Sequence, residues 1–181
     1  FWYCVLPSRI IQSSFHVQTA TIQSINVRIL GSAVKTRTFM SILMNNLKVL
    51  VFCILFSFLY GAGAIFVLTW NASVIAAAIG NFIRTNLSIY ASKIGFAKLA
   101  SYLHIITIGL LKYSVHGIPE ISAYFIAGLA GGIISVAVIN ESFGTKRFTK
   151  IILDSSDLIV IAVLLLVIAA IIEVYITPFL F

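Results

Sequence analysis

Charge is scarce in this chain, and acid is scarcest. Only 9% of the 181 residues are charged, with five Asp and Glu against twelve Lys and Arg. Soluble domains carry about 25% charged residues. At 61% hydrophobic and a mean hydropathy of +1.11, an ordinary soluble domain is excluded. Cysteine is nearly absent too. Cys53 lies in an apolar run and reads as packing, Cys4 lies near the start, and there is no CxxC pair. The three histidines are far apart, so no metal-site spacing exists and no cofactor is expected. Neither a Ser/His/Asp or Cys/His grouping nor a Gly-rich phosphate loop is present, and the chain does not read as an enzyme. Internal repeats and low-complexity tracts are missing as well. The net charge of +7 comes without basic residues interleaved with aromatics, so the expected partner is a lipid bilayer and not nucleic acid. Residues 1–6 have no charged region before them and do not read as a signal peptide; they fit the end of an earlier helix.

What the chain has is long apolar runs. Residues 7–35 are mixed, with Arg9 and Arg28 and no acid. Residues 36–46 read as an amphipathic stretch at headgroup level, with Phe39, Ile42 and Leu43 on one side. The expected division is therefore an N-terminal interfacial or loop segment, 1–48, and a transmembrane domain, 49–181. Residues 49–83 contain no charge. One helix of that length reaches roughly 50 Å, too long for a hydrocarbon core of about 30 Å. The expected helix break is Asn71, after the interfacial Trp70, giving spans 49–70 and 72–92. Arg84 in the second must snorkel or face protein. Residues 96–111 form a short apolar piece, 112–120 a polar interruption with a break at Pro119, and 121–139 a clean span. A charged loop, 141–157, follows, with Ser156 or Asp157 as the expected N-cap of the last span, 158–181, which is interrupted near its end by Pro178. The fold class is all-α: a polytopic transmembrane bundle of about five spans, one of them short or broken.

Two carboxylates lie in apolar surroundings, Glu120 and Glu173. An acid there is costly and must meet a partner, a proton or water. Helical spacing puts Glu120 on one face with Ala127, Gly131 and Ser135, and Gly128 and Gly132 add a pair of small residues beside it. Glu173 shares a face with Ala162, Ala169 and Thr177. Small residues let helix backbones approach closely in lipid, so both acids are expected to point at other helices. Loop charges, taken alone, put residues before 49, the Arg84–Lys98 region and 141–157 inside. Both acids then fall in the outer half, near His116 and Lys112, as one buried polar centre of Glu120, Glu173 and His116. Each has a plainer reading beside the functional one. Glu173 is a proton or cation ligand, or a neutral carboxyl serving as packing glue. Glu120 is half of a paired site, or a helix-start carboxylate favoured by the dipole. His116 is a proton shuttle, or a solvated interfacial histidine. Asn45 and Asn46 read as caps or headgroup contacts.

A series of short motifs resembles the stage II sporulation protein M family. They are Asn45-Asn46, Gly61-Ala62-Gly63, Trp70-Asn71-Ala72 (where the family favours Gly in third place), His116-Gly117-Ile118-Pro119-Glu120, Ile126-Ala127-Gly128-Leu129-Ala130-Gly131 and Glu173-Val174-Tyr175-Ile176-Thr177-Pro178. The likeness covers roughly residues 40–181. It implies an integral protein of the cell membrane, multi-pass, acting as a scaffold; the bacterial family recruits a lytic transglycosylase and an amidase to the septal membrane during engulfment. Members also occur where there is neither sporulation nor peptidoglycan, and there the role is unassigned. The resemblance further implies a helix before Phe1 and an outside segment over 7–46, which turns the first clear span round against the charge count. Residues 99–116 then become re-entrant or part of one long broken helix.

Three functions stand at this point, with an intramembrane enzyme the last of them. The first is a membrane scaffold or assembly factor whose partners are other membrane or envelope proteins, with a homo-oligomer left open. The second is a small transporter or channel using Glu120 and Glu173 for a proton or cation; split apolar segments suit it, but no repeat supports it.

Overall fold

The computed structural model describes residues 5–20, 35–89, 96–140 and 143–180. The expectations placed on Cys4, Arg28, Ser92 and Glu141 lie outside the described residues. Among those described the fold is all-α without strands. A short helix, α1 (Ser8–Ser14), precedes four long ones: α2 (Lys35–Tyr60), α3 (Ala64–Ile89), α4 (Phe96–Asn140) and α5 (Lys146–Ile171). A π-helical turn, Ile172–Ile176, and a last short helix, α6 (Thr177–Leu180), complete the chain. Among the described residues, four helices are long and apolar enough to cross a membrane.

The first helix break falls earlier than the apolar run suggests. Gly61 takes a left-handed φ of 62°, and α2 stops there. A Cβ at Gly63 would collide with the Phe56 carbonyl. The Ser57 hydroxyl donates to the Gly61 carbonyl at 2.8 Å, closing the end of the helix. Only glycine adopts that backbone freely, so the turn sits at Gly61–Gly63. Asn71, expected at the break, lies inside α3. The stretch 36–46 is likewise not a separate interfacial element, because α2 runs through it without interruption.

Residues 96–111 and 121–139, read as separate segments, form one helix. Pro119 is inside α4 and does not end it. Proline removes one backbone donor, but neighbouring helices hold the chain through such a gap. They do so here: α4 is the central element, packed against α2, α3 and α5. Helix α5 begins at Lys146 and not at Asp157. The Thr145 hydroxyl caps it by accepting from the Phe148 amide at 3.1 Å. Ser155 and Ser156 instead turn their hydroxyls back onto the carbonyls of Ile151 and Ile152, both at 2.8 Å, as serines inside helices do.

Pro178 changes the last helix without stopping it. Having no N–H, it cannot serve the Val174 carbonyl one turn back. The backbone widens before it: Thr177 donates to Ile172, five residues earlier. This π turn contains Glu173.

The order of the ends contradicts the loop-charge scheme. Lys35, at the start of α2, holds its ammonium 6.0 Å over the Tyr175 ring. Ser57 and Gly61, near the end of α2, border the same cleft as Asn140 and Arg147. Residues 35–48 therefore begin at the C-terminal end of the bundle, opposite the α4–α5 turn. The scheme that put them on one side with 141–157 counted one crossing too many, because 96–111 and 121–139 are a single helix.

Arg84, the only charge of α3, faces protein. Its guanidinium donates to the Leu6 carbonyl and the Ser8 hydroxyl, each at 2.8 Å. Ile11 of α1 packs with Ala77 of α3 beside it.

Candidate functional site

Small residues bring α4 against its neighbours. Ala123, Tyr124 and Ala127 are wholly buried, in one core with Leu50 and Cys53 of α2, Ala64 of α3, and Ala162 and Leu166 of α5. A Cβ on Gly131 would stand 2.5 Å from the Ile54 carbonyl oxygen; one on Gly128 would stand 2.8 Å from the Ala64 Cβ. Gly132 is looser, 3.3 Å from the Ser57 hydroxyl by the same construction. These close approaches fix α4 along the line that carries Glu120.

Glu120 and Glu173 come within electrostatic reach of each other, one from α4 and one from the π turn. Tyr124 lies one helical turn beyond Glu120, and its hydroxyl donates to the Glu120 Oε1 at 2.7 Å. Asn71 of α3 faces the same carboxylate. Its Nδ2 is buried yet makes no hydrogen bond of good geometry. Tyr113 of α4 lies within reach of the Glu173 charge. Tyr124 and Asn71 thus meet Glu120, Tyr113 lies within reach of Glu173, and the five residues come from three elements.

His116 belongs to the margin of this centre. Its ring lies 6.3 Å from that of Tyr113, and its charged neighbour is Lys112. The buried Nδ1 has no hydrogen-bond partner. Lys112 extends 5.4 Å over the Phe82 ring. Among the described residues, no group of three or more His, Cys, Asp or Glu could hold a metal ion.

Two like charges within electrostatic reach of each other in a low-dielectric interior are unfavourable. A proton, a cation or added donors must settle them. Tyr124 supplies one donor. The unpartnered Asn71 amide and His116 nitrogen have capacity left over.

Of the residues read from the sequence, the structure places Glu120 and Glu173 within electrostatic reach of each other and packs Ala127, Gly128, Gly131 and Gly132 into the helix contacts. Two members, Tyr124 and Tyr113, are not singled out by the sequence, and a third, Asn71, is singled out in another role. Tyr124 was legible as the i+4 neighbour of Glu120 on a helix. Asn71 was noticed, but as a break, because a polar residue in an apolar run reads equally as punctuation or as a buried donor. Tyr113 carries no signal without the fold.

The chain is similar to other proteins over most of its length. An uncharacterised protein of Methanocaldococcus jannaschii is 35% identical over 143 residues, which are 77% of this chain and 71% of that protein. No solved structure matches. Residues 2–178 match the family described as Stage II sporulation protein M. The chain, a membrane protein by its helices, belongs to the stage II sporulation protein M family.

Proposed function

We propose that this chain is a multi-pass scaffold of the cell membrane, organising or recruiting other membrane or envelope proteins without catalysing a reaction. One observation supports this reading above the rest. Helix α4 is pressed onto α2 so closely at Gly131 that a methyl group does not fit, and one helical turn from Glu120 the Tyr124 hydroxyl takes up that acid. Such an interior is a fixed frame, and its buried acid serves cohesion.

A second reading, proton or cation binding for transport, is favoured by the mutual electrostatic reach of Glu120 and Glu173 and by the unpartnered Asn71 amide beside them.

One pair of variants separates the two. In Glu120→Gln and Glu173→Gln the side chain still forms hydrogen bonds but carries no charge. A scaffold keeps its level in the membrane and the proteins that co-isolate with it after cross-linking in mild detergent. A carrier loses pH-dependent flux in reconstituted vesicles. Loss of a wild-type flux in either variant, at unchanged protein level, rules out the scaffold reading.

A further inference from the structure

Lys48 is a base on the outside of a membrane-crossing helix. It lies on the exposed face of α2, at helical spacing with Met44, Val51, Leu55 and Leu59, all of them exposed. Asn45, exposed as well, adds a second polar group to that face. Residues 49–60, between Lys48 and the end of α2, reach only about 18 Å, against a hydrocarbon core of about 30 Å. An α2 that crosses the membrane therefore carries Lys48 into the hydrocarbon on its outer face. A charge in that position is costly and calls for a partner.

The outer face of α5 carries the opposite charge in a similar setting. Asp157 lies at helical spacing with Leu153, Val160, Leu164 and Ile168, again all exposed. Leu50, two residues after Lys48, and Ala162, five after Asp157, belong to one core. The two charges therefore stand within about 10 Å of each other in depth. Helices α2 and α5 pack on each other, so their outer faces form one continuous surface. That surface holds a base and an acid, each set in an apolar stripe.

We propose that two copies of the chain pair through this surface, Lys48 of each copy meeting the partner's Asp157. A two-fold axis along the membrane normal keeps both copies in one orientation and each charge at its own depth, and it makes every contact twice. Such an interface needs both halves of the match on one chain, and both are here. An anionic lipid would meet Lys48 and leave Asp157 unanswered. In lipid the apolar stripes gain little by leaving the hydrocarbon, so polar groups that pair across helices select the contact. The pairing depends on neither reading of Glu120 and Glu173.

The test co-expresses two differently tagged copies of the full chain and measures how much of one is retained with the other in mild detergent. Wild-type copies co-isolate. Lys48→Glu paired with itself sets acid against acid, and Asp157→Lys paired with itself sets base against base. Each lowers co-isolation by about tenfold or more, the loss expected when charge-assisted contacts are removed. One Lys48→Glu copy with one Asp157→Lys copy restores it, because every contact between those two copies again joins a base to an acid. A Lys48–Asp157 pair inside each chain would gain nothing from that mixture. Where a reversed charge keeps a copy from accumulating, Lys48→Gln and Asp157→Asn take its place, each lowering co-isolation by about tenfold among copies of its own kind. The proposal is overturned if wild-type copies do not co-isolate, since a lipid or another protein would then cover this face. It also falls if the reversed or neutral variants pair as well as the wild type, or if the mixed reversed copies pair no better than the like ones.

Discussion

The contact around Gly128–Gly132 and the polar centre around Glu120 lie on the same helix, little more than two turns apart, yet they are built by opposite means. The first is made by omission: no side chain at Gly131, so the Ile54 carbonyl can come up to the α4 backbone. The second is made by inclusion: carboxylates, phenols and an amide from α3, α4 and the π turn, packed where lipid-like side chains would cost less. Close backbone contact yields many small dispersion gains and no unmet polar groups. The polar centre and its margin hold unmet groups, among them the Asn71 amide and the His116 nitrogen, and the Thr177 hydroxyl at the end of the π turn is unmet as well. A bundle needs only the first kind of contact to hold together. The second kind costs stability, because each polar group must be taken out of water or lipid headgroups and met again inside.

The contrast can be broken by substitution, and the largest effect belongs to the glycine contact. Gly131→Leu forces α4 away from α2 and should destabilise the fold by about 3 kcal/mol, read as loss of helix content on titrating with denaturing detergent. A tolerated leucine would mean that this contact is not what holds the two helices. Tyr124→Phe comes next. It removes the single hydrogen-bond donor to the Glu120 Oε1 and should cost about 0.6 kcal/mol, the average for a hydrogen bond between side chains in lipid. A loss as great as that of Gly131→Leu would make the polar centre the main fastening of the bundle. Asn71→Ala is the smallest. Because Nδ2 has no partner to lose, stability should change by less than about 0.5 kcal/mol on the same titration. A large loss would show that the amide meets the Glu120 carboxylate in the membrane.

The sequence made part of this legible. Apolar runs and scarce charge mark helices in a membrane, and helical spacing marks Gly128, Gly131 and Gly132 as a contact face. Both signals are local, and both survive into the fold. The reading failed where two local signals compete. Asn71 and the Gly61–Gly63 pair each interrupt an apolar run, and the choice turns on a left-handed φ that composition does not reveal. Pro119 and Pro178 are the same residue type with different outcomes. One is carried inside α4 without ending it, and the other is preceded by a widened turn holding Glu173. Neighbouring helices decide which.

Sequence alone settled that this chain is helical, that it is a membrane protein, and that two acids lie where acids are expensive, because hydropathy and charge act residue by residue. Only the tertiary structure decided how many helices there are, that the start of α2 stands beside Tyr175, and that Asn71 and Tyr124 converge on Glu120. Those facts depend on which backbones can approach one another, and that is a property of pairs of helices that no single stretch of residues contains.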